Sequence, residues 1–216
     1  MIIVIDFGSQ TSHLIARRIK DLGVPVSIIT PEKFRPGMLP EPDGIILSGG
    51  PSSVYEKGAP TIDPSIFSLG IPLLGICYGF QLMAHLNGGE VIAGKKEYGP
   101  AKVGLTLKGK DNIIVKNVAP EFTVWMSHGD EIIKVPTGMK VIGKTANMRF
   151  AITGNTKEKV YGLQFHPEVD HTEYGTEILR NFLEVCGITT STQKISTSSL
   201  INGIKETVGD GYVIIS

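Results

Sequence analysis

Apolar positions along this chain follow two periods, and the switches between them mark its elements. Apolar runs at residues 2–5 and 45–47 read as central strands of a parallel sheet, buried on both faces, and residues 26–29, broken only by Ser27, read as a further strand. A fourth run passes through Ile71, Leu73, Leu74 and Ile76. After the first strand, Leu14, Ile15, Arg18 and Ile19 recur at helical spacing up to about Leu22, with Gly23 as the stop. After the fourth, Phe80, Leu82, Met83 and Leu86 do the same, and Gly88-Gly89 ends them as a left-handed cap would. Pro31, Pro36, Pro40 and Pro42 make the segment between the second and third strands a connection rather than a helix. This alternation predicts an α/β fold, a doubly wound, mostly parallel sheet flanked by helices. Its site should lie at the carboxyl ends of the strands.

From about Glu90 to Val169 the texture changes. Short β-like runs at 90–93, 103–107, 113–115, 123–126, 140–144, 150–153 and 160–165 are separated by turn residues, which predicts a mixed or antiparallel extension of the sheet. Residues 175–186 are amphipathic, with Ile178, Leu179, Phe182 and Leu183 on one face, and read as a closing helix with Cys186 as a buried packing residue. Residues 1–187 thus form one expected domain. Residues 188–199, rich in Ser and Thr, read as a linker. Residues 200–216, with an Asp210-Gly211 turn and an apolar strand at 212–215, read as the truncated start of a second domain.

The 216 residues are 41% apolar and 19% charged, with a formal net charge of zero. No basic field argues for nucleic acid as a partner. No apolar run approaches the roughly 18 residues that span a bilayer, so no membrane partner is expected. The opening MIIVID is too short, and too soon broken by Asp6, for a signal peptide. The two cysteines sit in unlike contexts and suggest no disulfide, so a reducing, cytoplasmic setting is expected.

The candidate chemistry begins at Gly75-Ile76-Cys77-Tyr78-Gly79. A strand that turns sharply into a helix, with a thiol between two glycines, is an elbow that lifts a nucleophile above the sheet edge. The helix N-terminus beneath it favours the thiolate and offers amides for an oxyanion. A thiolate needs a base, and the base an orienter. Of the five histidines, His166 ends an apolar run and is followed by Pro167-Glu168. Proline keeps the backbone extended there, so His166 and Glu168 project to one side, and a Cys77–His166–Glu168 triad accounts best for both signals. Gly49-Gly50-Pro51 also follows a strand and can point an amide at a developing oxyanion, or is an ordinary turn. Ser127-His128-Gly129-Asp130 reads as a second polar loop, in which Asp130 either pairs a substrate ammonium or caps a turn.

Together the GGP loop, GICYGFQ and QFHPE resemble the class I (triad) glutamine amidotransferases, over residues 1–187 in order. More narrowly, residues 6–10, 48–53, 124–130 and 165–169 are similar to the glutaminase domain of the GMP synthase family. Phe80 departs from that pattern, standing where methionine is common. The resemblance implies that L-glutamine is the substrate and is hydrolysed through a γ-glutamyl thioester on Cys77, with His166 and Glu168 completing the triad. It also implies an oxyanion hole from the amides of Gly50 and Tyr78. Substrate contacts would come from Ser52, Gln81, Ser127, His128 and Asp130. No metal or cofactor is implied for this reaction. ATP and Mg2+ would serve only an ATP pyrophosphatase (synthetase) domain or subunit, the expected partner, in an enzyme that could be a homodimer. Residues 212–216 are similar to that domain's first strand.

Three rivals remain. One is the glutaminase of another pathway (anthranilate, carbamoyl phosphate or CTP synthesis), against which the Ser-His-Gly-Asp segment and the tail weigh. A stand-alone γ-glutamyl thiol hydrolase would have no use for the tail's strand. A non-catalytic module would have no use for Cys77, His166 and Glu168.

Overall fold

The computed structural model of the chain describes residues 1–37 and 40–190. Strands β1 (Ile2–Ile5), β2 (Val26–Ile29), β3 (Gly44–Leu47) and β4 (Leu73–Ile76) alternate with helices α1 (Ser12–Asp21) and α2 (Tyr78–Leu86). There follow β5 (Glu90–Leu105), β6 (Glu121–Lys134), β7 (Lys140–Lys144), β8 (Ile152–Asn155), β9 (Val160–Leu163) and the closing helix α3 (Gly175–Val185). Among the described residues these strands make one sheet, ordered β2-β1-β3-β4-β9-β8-β7-β5-β6. Pairing is parallel from β2 to β9 and antiparallel from β9 to β6.

Strand alternation sorts the core into two layers. Ile2, Val4, Ile46, Leu74 and Ile76 face one side, under Ile15 and Ile19 of α1 and Ile178 and Phe182 of α3. Ile3, Ile5, Ile45, Leu47 and Leu73 face the other, under Phe80, Leu82 and Met83 of α2. Each such side chain removed from water contributes roughly 1.5–3 kcal/mol, which is why short apolar runs suffice to place the strands. Cys186, at the end of α3, is half-buried against the first layer.

Two local expectations are corrected. Ile113–Val115 is a 3-10 turn rather than a strand. Asn112 caps it by accepting the Ile114 N–H at 3.0 Å, and Asn181 of α3 donates to the carbonyls of Ile114 (3.1 Å) and Lys116 (2.8 Å). Those bonds take backbone groups that a strand would have given to a neighbour. Ser127–Asp130 is not a loop but part of β6, where His128 pairs with Glu97 and Asp130 with Ala93. Opposite Gly129, β5 bulges by residues 94–96, so a glycine that looked like a turn sits inside a ladder. A 3-10 turn, Pro31–Lys33, interrupts the proline-rich connection. Most of the expected linker, and all of the expected second domain, lie outside the described residues. No helix among the described residues is long and apolar enough to cross a membrane.

Candidate active site

At the end of β4 the chain turns through Cys77, whose φ of 49° is rare for a residue with a side chain. The turn is tight enough to exclude a Cβ on either side. One on Gly79 would lie 2.3 Å from the Leu47 carbonyl oxygen, and one on Gly75 would lie 2.7 Å from the Phe80 Cα. Backbone strain held by such packing is a feature of functional sites. The Cys77 thiol is 4% exposed, with its Sγ 3.5 Å from the Ser127 carbonyl oxygen and 3.7 Å from Gln164 Nε2.

His166 and Glu168 come together as the sequence suggested. His166 Nδ1 donates to Glu168 Oε1 at 2.7 Å, which fixes the tautomer and turns the other ring nitrogen over to the Cys77 sulfur. Burial alone would lower the His166 pKa, but the Cys77 and Glu168 partners outweigh it and raise it to about 10. Glu168 is fully buried, and its Oε2 has no hydrogen-bond partner among the described residues. Its side chain is therefore held by the His166 ring through Oε1. The loop carrying both is pinned from outside. Thr172 Oγ1 donates to the His166 carbonyl at 2.6 Å and accepts the Trp125 N–H at 3.0 Å. Arg18 Nε donates to the Glu168 carbonyl at 3.1 Å and pairs with Asp170.

Cys77 and His166 open into a cavity of about 330 Å³, whose other walls include Ser9, Gln10, Gly50, Trp125 and Ser127. Of the two amides expected in an oxyanion hole, Gly50 borders this cavity and Tyr78 follows the nucleophile. Neither amide has an acceptor among the described residues, whereas the next one, Gly79 N–H, is bound to the Ser48 carbonyl at 2.9 Å. Tyr78 is anchored through its hydroxyl, which donates to the Pro60 carbonyl, and burial pushes its pKa up to about 12.

Of the five residues expected to hold substrate, Ser127 alone borders this cavity. Alternation along β6 puts Trp125 and Ser127 on one face and the buried His128 and Asp130 on the other. Gln81 is buried and donates to the Asp130 carbonyl (3.2 Å) and Gln164 Oε1 (3.4 Å). His128 Nδ1 donates to the same carbonyl at 3.0 Å, and its Nε2 lies 3.5 Å from Glu97. Desolvation lowers its pKa, so it is neutral near pH 7. Asp130 Oδ1 accepts from the Tyr55 hydroxyl at 2.7 Å, and Ser52 is half-buried nearby in sequence, after the GGP turn. Gln164 and Trp125 lie within motifs quoted from the sequence but carry no assigned role there, and Thr172 lies outside them. Gln164 also left a positional signal, standing two residues before His166 in an extended run and so on the same side.

Comparison with known proteins agrees with this geometry. The family model described as glutamine amidotransferase class-I matches residues 3–186. The chain is 48% identical over 99% of its length to a GMP synthase (glutamine-hydrolyzing) of Ligilactobacillus salivarius, and 42% identical to that of Aquifex aeolicus. It spans 42% of the length of each relative. A Thermoplasma acidophilum protein described as one subunit of a GMP synthase superposes with a TM-score of 0.77 at 33% identity, over 86% of this chain and 93% of that one. A Thermotoga maritima glutamine amidotransferase at 22% identity shares the fold, with a TM-score of 0.61 over 96% of this chain and 91% of that one. With a family match over residues 3–186, the chain belongs to the class I glutamine amidotransferases.

Proposed function

We propose that this chain is the glutaminase part of a glutamine-hydrolysing GMP synthase, releasing ammonia from L-glutamine in the cytoplasm. The observation that carries the reading is the convergence of Cys77, the His166–Glu168 pair and the unengaged Gly50 amide on one cavity. The names of the relatives support the choice of pathway.

Cys77 sulfur attacks the side-chain carbonyl carbon, and a C–S bond forms while the oxygen becomes an oxyanion facing the Gly50 and Tyr78 amides. His166, holding the thiol's proton, passes it to the amide nitrogen, the C–N bond breaks and ammonia leaves. The γ-glutamyl thioester remains. His166 then takes a proton from water, the resulting hydroxide adds to the carbonyl, and the C–S bond breaks to give glutamate and free Cys77. Glu168 holds the imidazole in one tautomer throughout. In this reading Ser127 touches substrate directly. The resemblance assigns the amino-acid end also to Ser52, Gln81, His128 and Asp130, none of which borders the cavity, and Gln81 and His128 act through the backbone they brace at Asp130. The reaction uses no cofactor. ATP and Mg2+ belong to a synthetase portion, corresponding to the remaining length of the relatives, which would activate XMP for amination.

The test is mass spectrometry after treatment with a diazo-ketone analogue of glutamine. Burial pushes the Cys186 thiol up to about 12, leaving it almost wholly protonated at neutral pH and unreactive. Labelling is therefore expected at Cys77 alone and is blocked by excess glutamine. Labelling at Cys77 that glutamine does not block removes glutamine as the substrate.

A further inference from the structure

Ser48 follows β3, is fully buried, and has no place in the mechanism above. Its hydroxyl nevertheless sits at the junction of the pieces that build the oxyanion hole. Ser48 Oγ lies 3.1 Å from the Phe7 amide and 2.8 Å from the Gly49 carbonyl oxygen. An amide can only donate, and a hydroxyl has a single proton. The Oγ therefore accepts from Phe7 and spends its proton on the Gly49 carbonyl. The same residue's backbone carbonyl takes the Gly79 N–H, and its N–H binds the Ile5 carbonyl at 3.0 Å, so Ser48 itself has no freedom to turn.

The Gly49 carbonyl and the Gly50 N–H belong to one planar trans peptide and point in opposite directions. Holding the carbonyl toward Ser48 therefore holds the Gly50 N–H away from it. This peptide lies between two glycines, where reversal of the plane meets little steric resistance. The carbonyl's bond to Ser48 is what chooses between the two orientations, and the amide so placed has no acceptor among the described residues while Gly50 borders the Cys77 cavity. We propose that Ser48 is a positioning residue that locks the Gly49–Gly50 peptide with its N–H aimed at the oxyanion. The inference rests on the glutaminase reading, and on Gly50 as an oxyanion donor.

The test separates oxyanion stabilisation from nucleophile reactivity and from ground-state binding. Alkylation of Cys77 by iodoacetamide needs the sulfur and no oxyanion hole. Protection against it by glutamine reports ground-state binding. Protection by the γ-aldehyde of glutamate reports the tetrahedral adduct, in which the thiol adds across the C=O and nothing is released. In Ser48→Ala, aldehyde protection should weaken by about 10²-fold, while alkylation and glutamine protection change by less than about threefold. Ser48→Cys, which keeps the volume but is a poor donor, should behave alike and guards against an Ala variant that fails to fold. Ser48→Thr, which keeps the hydroxyl, should retain aldehyde protection to within about threefold. Unchanged aldehyde protection in Ser48→Cys overturns the proposal. A parallel loss of alkylation and both protections in that variant also overturns it, by making Ser48 structural. Absence of glutamine protection in the unsubstituted chain instead sinks the glutaminase reading itself.

Discussion

At His166, burial and two partners compete for one proton, and the partners win. A value raised from 6.5 to about 10 means that the imidazolium persists across neutral pH. The sign follows directly. The stability this proton brings is complete below pH 6.5 and is lost as pH rises through about 10. The same proton is the one that departing ammonia needs, so the glutaminase pH–rate profile should fall on its alkaline side near pH 10. In Glu168→Gln that limb should move to lower pH, with a loss of about 10²-fold or more at neutral pH, because the tautomer is no longer held. A limb that stays in place would mean that Cys77 alone holds the proton.

Among the elements, α2 meets β9 at a tight contact. A Cβ built on Gly162 of β9 would lie 2.2 Å from the Phe80 ring, so the glycine makes room for a side chain bulkier than the methionine common in the family. Gly162→Ala should cost about 1–3 kcal/mol, and Phe80→Met less than about 1.5 kcal/mol. The double variant should cost less than their sum, as read by urea unfolding. Additive costs would mean that the two residues do not share this space. The elements that sequence reading placed well, β1 to β4, α1 and α2, are those whose periodicity alone decides burial. It misplaced residues 113–115 because an apolar run can bury itself as a turn when Asn181 satisfies its carbonyls. It misread residues 127–130 because Gly129 and the bulge facing it carry turn-like composition inside a ladder. The His166–Glu168 pair was legible because Pro167 fixes the geometry between its neighbours. The Gln164–Cys77 contact was not, since nothing in the chemistry of a glutamine calls for a thiol partner as an imidazole base does.

At the scale of the whole molecule, the chain is less than half the length of the relatives it matches. Free hydrolysis would waste glutamine, so turnover by these 216 residues should be low and should rise when the remaining portion of a relative's length is supplied. Ammonia release measured with and without that portion decides it, and equal rates would show that the chain needs no activation. Within the chain, the hydrogen bonds themselves follow a circuit. Starting at β9 they run through β8, β7 and β5 to β6, where Trp125 O accepts the N–H of His166, three residues beyond β9. Thr123 and Glu173 exchange two further bonds at the same place. The antiparallel half is therefore a closed ring, and its clasp is the segment that carries His166. Opening the ring at that clasp and parting His166 from Cys77 are a single event.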